Sequence, residues 1–452
     1  MRTLKPLFSA LMLATLCSQA QAMSLSEAIQ STIDTHPEIR AAASSRLSSE
    51  AEAKIARGGY LPTVDLLMGY GRERTDNPST RARGFNHNRE TLTYSNNELR
   101  LRQMLFDGFN TPNEVGRTEA VVNSQAYRLQ GTAESLALRT IEVYLDVLQR
   151  RELVELARNN LLAHQRVNDQ IGLRSRQGVG STADSDQSRA RLALAENNLY
   201  TEQVNLADAE ANFISVVGKA PDELETPSTV RGRLPSDLQA ARQAVMDNNP
   251  YLKSAQADVQ AAEKQHEVAK SPFYPRFDLE LARSADNDVG GDPGHTNDWR
   301  AGVVMNYNLF NGMRDKARLE STSHQINQAM DIRNNALRVV NENLALAWNA
   351  MDNARLQTPK ARDYARYTAQ VREAYQSQFG IGQRTLLDLL DSENELFTAN
   401  RRYTEVRYIE EFSMYRVLAA AGMLLRQQQV VLPAEAVSVS EVRSEARLPE
   451  LR

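Results

Sequence analysis

The sequence predicts a mostly α-helical protein with a small β part, built as two tandem repeats. Its strands close only if three chains share one twelve-stranded barrel. Three observations carry that fold class. Landmarks recur in one order about two hundred residues apart. Four stretches of about ten residues alternate apolar and polar side chains. Two much longer stretches run with almost no helix breaker.

The start of the chain reads as a leader. Arg2 and Lys5 precede the apolar run "LFSALMLATLC", and "AQA" at Ala20 to Ala22 fits a small-x-small cleavage site. A signal peptide is therefore expected over 1–22. The single cysteine, Cys17, follows the bulky Leu16, which argues against a lipoprotein site. Cleavage leaves no cysteine for a disulfide. Composition is ordinary for a folded protein at 41% hydrophobic and 24% charged, and a net charge of −4 gives no sign of a nucleic-acid partner. No later apolar run approaches the ~20 residues of a membrane-spanning helix.

Two repeats are expected, over 23–235 and 236–429, with a tail over 430–452. "LSEAIQSTIDTHPEIRAA" (Leu25 to Ala42) matches "LQAARQAVMDNNPYLKSA" (Leu238 to Ala255). "GYLPTVDL" matches "FYPRFDL", placing Pro62 on Pro275 and Asp65 on Asp278. "LFDG" (Leu105 to Gly108) matches "LFNG" (Leu309 to Gly312), and "RQGVGSTADSD" matches "SQFGIGQRTLLD" through a Gly-x-Gly in each. A unit of this size is far longer than a solenoid repeat of ~20–50 residues, so the chain reads as two similar halves.

Each half opens with a helical stretch that ends at Pro62 or Pro275, because proline cannot continue a helix. Period-two alternation then predicts strands over about 62–71 and 92–106, and over about 275–284 and 299–310. Polar, turn-rich loops join them. Long helices follow over about 112–217 and 313–425. Leu138, Ile141, Leu145 and Leu148, like Leu337, Val340, Leu344 and Ala347, recur at three and four. From Met313 to Phe379 there is no glycine and only Pro359. A helix of ~65 residues would be ~100 Å long, and the glycine pairs Gly178/Gly180 and Gly380/Gly382 are where such helices turn back. Strands of this length suit a tilted span of a bilayer, where no sheet edge can stay open. Four strands cannot close, and eight leave an interior filled by side chains. Twelve strands from three chains leave a lumen.

These landmarks together resemble the TolC-type outer-membrane channel family over nearly the whole mature chain. The most specific are "VGSTADSDQSRARLALAENNL" and "IGQRTLLDLLDSENELFTANRRY". The resemblance implies a homotrimer with a short β-barrel in outer-membrane lipid and a long α-helical barrel across the periplasm. It implies docking of a periplasmic adaptor and an inner-membrane transporter at the tip, near Gly178, Gly180, Gly380 and Gly382. No enzyme activity, cofactor or metal is expected. "GQRTLLDLLDSENELF" resembles the type I secretion branch, which works with an ABC transporter and exports proteins, such as a large adhesin or RTX-type protein. The alternative is the duct of a drug-efflux pump, often proton-driven. A periplasmic coiled-coil adaptor would have no such duplication, and a structural coiled coil would have no strands.

Asp388 and Asp391 lie three apart on one helix face, while Leu386, Leu387, Leu389 and Leu390 are placed to bury. Taken alone, such a pair reads as a solvated face. The resemblance implies a pore-facing ring that selects cations, with pKa values raised by like charge. It also implies a gate latch of Arg384 with Asp186, aided by Ser185, at a turn where Phe379 stands in place of a tyrosine. Trp299 and Tyr94 fit either an aromatic belt or ordinary packing. His164, His266 and His324 are read as solvated, Trp348 as core. The tail after Gln429 reads either as a packed strap or as disorder.

Overall fold

The computed structural model describes residues 22–83, 89–177 and 181–447. All but the last residue of the expected leader, together with Gly178 and Gly180, lie outside them. The first repeat runs α1 (Leu25–Thr35), α2 (Pro37–Gly58), β1 (Thr63–Thr75), α3 (Pro78–Arg83), β2 (Glu90–Phe106), α4 (Asn110–Arg176) and α5 (Thr182–Val217). The second runs α6 (Leu238–Asn248), α7 (Pro250–Ala269), β3 (Arg276–Asn287), β4 (His295–Asn306), α8 (Arg314–Gly380), α9 (Leu386–Ala420) and the short α10 (Leu424–Gln427).

The duplicated motifs are duplicated caps. His36 accepts the Glu38 N–H through Nδ1, Asn249 accepts from Tyr251 and Leu252, and Pro37 and Pro250 take the first helical position, where no N–H is needed. "LFDG" and "LFNG" each end in two successive left-handed residues, Gly108 and Phe109 (φ 68° and 65°) or Gly312 and Met313 (φ 58° and 62°). At Gly108 a Cβ would stand 2.5 Å from the Ser271 carbonyl oxygen, so glycine is required twice over. Both turns launch helices of 67 residues, α4 and α8, about 100 Å each. Among the described residues no helix is long and apolar enough to cross a membrane.

The strands form one antiparallel sheet in the order β1-β2-β3-β4. Its register puts opposite chemistry on its two faces. One face carries rungs such as Val64–Leu101–Leu281–Ala301, and the other carries Thr63–Arg102–Glu280–Gly302 and Asp65–Arg100–Ala282–Arg300. On the charged face Arg102 meets Glu280 at 3.0 Å, Arg100 meets Glu98 at 2.7 Å, and Arg276 meets Asp278 at 2.8 Å. On the apolar face Met68, Leu66 and Val303 are 73%, 65% and 60% exposed. A one-layer sheet with an uncovered apolar face and two unpaired edge strands is incomplete in water.

The helices pack around a core at the level of α1, α4, α6, α8 and α9, including Ile29, Ile141, Tyr144, Phe213, Leu344 and Tyr415. Trp348 packs against it, partly buried, as expected. Over its described residues, 430–447, the tail is a strap. Asn123 Oδ1 accepts from Val439 and Ser440, the Tyr127 hydroxyl accepts from Val442, Gln130 donates to the Ala436 carbonyl, and Gln256 accepts from Glu445. Nearby, Glu134 of α4 is buried. Its Oε1 accepts the Leu425 N–H at 3.4 Å and its Oε2 has no partner among the described residues, so burial pushes its carboxyl up to about 8.

Three expectations are corrected here. The strands extend further toward the loops than alternation indicated, so both ends of the acidic stretch Asp286 to Asp298 are strand and 288–294 alone connects β3 to β4. Tyr94 lies over Gly71 on the charged face, not in a lipid-facing belt, whereas Trp299 is on the apolar face and 78% exposed. His164 is 4% exposed with its Nδ1 unpartnered among the described residues, and burial holds its pKa down. His324 is exposed, and His266 meets the Thr322 hydroxyl at 3.0 Å.

Candidate functional site

The site is the turn between α8 and α9 with the flank of the α4–α5 hairpin beside it. α8 ends because Gly382 takes φ 79° and two bonds close the last turn, Gly382 N–H to the Phe379 carbonyl and Gln383 N–H to the Gln378 carbonyl. Gly380 is the last helical residue. Thr385 and Asp388 then form a reciprocal capping box that starts α9. Asp388 is therefore built into the helix start. The Thr385 hydroxyl and N–H hold its carboxyl below the ordinary Asp range, which within one chain runs against the raised value expected from like-charge crowding.

Leu386, Leu389 and Leu390 bury against Val167, Ile171 and Phe379. Leu387 does not join them. It is 47% exposed and shares the open side with the acids. Asp391, one turn on, meets Arg191 of α5 at 2.8 Å. Both acids are thus brought to one exposed strip, with Asp391 tying one hairpin to the other.

The expected latch does not form within a chain. Arg384 folds back on its own hairpin: its guanidinium lies 4.2 Å from the Tyr375 ring centre, donates to Gln378 at 2.9 Å, and stands 3.9 Å from Asp388. Asp186 faces Arg189 at 3.9 Å, and Ser185 bonds through its backbone. Phe379 is buried, and the Arg174 guanidinium covers its ring at 4.8 Å. The ring also clusters with Val167, Ile171 and Leu389.

Sequence reasoning missed the charged links between hairpins. A cavity of about 790 Å³ separates α4 from α8 and α9, lined by Arg166, Arg174, Arg372, Phe379 and Glu393 among others. Glu393 is 7% exposed, and burial pushes its carboxyl up while Arg372, 3.7 Å away, and Arg166 oppose that. Further along, buried Glu202 of α5 stands between Arg150 of α4 and Arg401 of α9. Glu152 of α4 accepts from Thr404 and Arg407 of α9. No motif marks these residues. They are ordinary helix charges until the hairpins meet.

The family model described as outer membrane efflux protein matches residues 28–219 and 241–411. The chain belongs to the outer membrane efflux protein family. Among relatives, the outer membrane efflux protein BepC of Brucella suis is 27% identical, over 83% of this chain and 80% of that one. The alkaline protease secretion protein AprF of Pseudomonas aeruginosa is 24% identical, over 96% of this chain and 91% of that one. The structure of the Campylobacter jejuni outer membrane channel CmeC has the same fold, with a TM-score of 0.78 at 14% identity over 91% of this chain and 90% of that one. The two matched segments of the outer membrane efflux protein model fall on the two repeats. The family places the chain in the outer membrane as a transport channel, with the two-faced sheet as its membrane part and the long helices extending into the periplasm.

Proposed function

We propose that this chain is the outer-membrane channel-tunnel of a type I secretion system, a homotrimer giving a protein substrate its exit duct. The observation that carries the channel is the incomplete sheet: both edges are open and one face is uncovered and apolar, while 67-residue helices leave its base. Pairing β1 of one chain with β4 of the next, three times, satisfies every edge and gives twelve strands. Four strands of closed barrel from one chain would leave no lumen. The "GQRTLLDLLDSENELF" stretch and the likeness to AprF favour the secretion branch, with an inner-membrane ABC transporter and a periplasmic adaptor as partners. The likeness to BepC favours the second reading, the duct of a tripartite efflux pump.

Native mass measurement in detergent is expected to give three copies, and a stable membrane-inserted monomer would overturn the barrel. Deleting the gene separates the branches. Loss of one secreted protein at unchanged drug susceptibility supports secretion, whereas hypersensitivity with an intact secretome supports efflux.

The turn residues after α8 fit a gate at the periplasmic tip, with Arg384 meeting Asp186 and Ser185 across neighbouring chains and the adaptor docking near the glycine pairs Gly178/Gly180 and Gly380/Gly382. An exposed pair contributes about 0–1 kcal/mol, so three would bias a gate only together. Arg384→Gln with Asp186→Asn is expected to raise single-channel conductance in planar bilayers. Unchanged conductance would remove this latch.

A further inference from the structure

The apolar face of the sheet ends in a band of uncompensated positive charge. Counting outward from the strand ends that join the helices, Val64, Phe277 and Met305 lie at the first position facing lipid, Leu66, Leu279 and Val303 at the third, and Met68, Leu281 and Ala301 at the fifth. At the seventh stand Tyr70, Arg283 and Trp299. The ladder itself sets Arg283 and Trp299 opposite Leu99 and Leu66, four residues from Tyr70's rung, and it is the tilt of strands in a closed barrel that brings such staggered strand ends toward one height. Arg72 and Arg74 follow on β1 at the ninth and eleventh. Arg72, Arg74 and Arg283 are all exposed. From the seventh position upward, this face of the four strands carries these three arginines and not one acid.

The contrast with neighbouring arginines is informative. Arg100, Arg102 and Arg276 on the opposite face, and Arg81, Arg83 and Arg89 in the loop, each stand within 4.0 Å of a carboxylate. Arg300, at the open β4 edge, is the exception on that opposite face. Arg72, Arg74 and Arg283 have no acid partner among the described residues. Closing the barrel does not supply one, because a neighbouring β4 would bring Asn297 and His295 to this side and turn Asp298 inward. Guanidinium groups at the outer end of an apolar band, Arg283 opposite Trp299 and Arg72 and Arg74 following Tyr70 on its own strand face, stand where lipid headgroups begin. Arginine forks match phosphate oxygens geometrically.

We infer that Arg72, Arg74 and Arg283 form an outward-facing belt that binds the phosphate groups of an anionic lipid in the outer leaflet. The inference rests on the outer-membrane placement and is independent of the secretion or efflux reading. It makes the belt an attachment to the bilayer and not to cargo.

The test uses the purified trimer and bisphosphorylated lipid A, with bound lipid counted by native mass spectrometry. Arg72→Gln/Arg74→Gln/Arg283→Gln is expected to weaken retention about 100-fold, since each basic side chain at an anionic surface contributes a several-fold factor. The matching lysine variant should keep most of the binding, and Arg100→Gln/Arg102→Gln, which changes the opposite face, should bind as wild type does. Dephosphorylated lipid A should not distinguish wild type from the glutamine variant. The same trimer mass for all variants shows that folding is not the cause. Equal retention by the glutamine variant, equal binding of dephosphorylated lipid A to wild type, or displacement by millimolar inorganic phosphate would each overturn the belt.

Discussion

Exchanging Asp388 and Asp391 together for asparagine is expected to remove cation selectivity and to weaken block by a trivalent cation about ten-fold or more, as loss of a carboxylate ring does in a pore. In the proposed trimer, three chains would bring six carboxylates to one level of the tunnel. Within each chain they are not equivalent. The Thr385 cap lowers the pKa of Asp388, while Asp391 is paired with Arg191. Asparagine is the right replacement because it still offers an oxygen to the Thr385 N–H, so α9 keeps its start. A companion variant acts in the opposite direction. Arg191→Gln frees Asp391 and should tighten the block, while loosening the contact between α5 and α9. Reversal potentials and blocker titrations in planar bilayers measure both. Block of the double variant as tight as wild type would place the acids outside the lumen and leave "LLDLLD" a solvated face.

The second large effect concerns stability against pH. Glu134 is raised from an ordinary 4.5 to about 8 in the folded chain, so the folded state holds a proton that the unfolded state has already released. Its contribution is complete below pH 4.5 and is lost as pH climbs through 8. Across pH 5 to 8 the wild type should lose about 3 kcal/mol per chain from this group alone, at ~1.4 kcal/mol per pKa unit. Glu134→Gln keeps an acceptor for the Leu425 N–H and has no charge to bury. Thermal unfolding of the trimer should therefore match wild type at pH 5 and occur several degrees higher than wild type at pH 8. Equal melting at both pH values would mean that water or a neighbouring chain already solvates the carboxyl.

Much of this fold was legible because its determinants are local. Pro62, Pro275 and the glycine of "LFDG" and "LFNG" punctuate the chain, and long breaker-free stretches leave no choice but long helices. The strand ends were not legible. Beyond the apolar band, polar residues such as Arg72 to Thr75 and His295 to Asp298 still pair in the ladder, but polar side chains on both faces remove the alternation that marks a strand. The acid pair could be found from its spacing and its likeness to a known motif. Its partner Arg191 could not, since pairing depends on how two hairpins meet two hundred residues apart. His164 and Glu134 were illegible for a related reason: on a helix this long, every face looks alike until a neighbour covers one. The tail defeated pattern reading because side chains of α4 and α7 bind its backbone, and backbone has no composition to read.

That strap has a consequence for how the molecule is made. Residues 430–447 leave the ribosome after every element they touch, yet Asn123, Tyr127, Gln130 and Gln256 wait on bonds to the strap backbone. Until the strap arrives, those polar groups face water, and α4 and α7 lack their outer tie. Docking of the strap thus becomes the closing step in folding one protomer, and a protomer without it is distinguishable, by its unsheltered waist, from one ready to join two others.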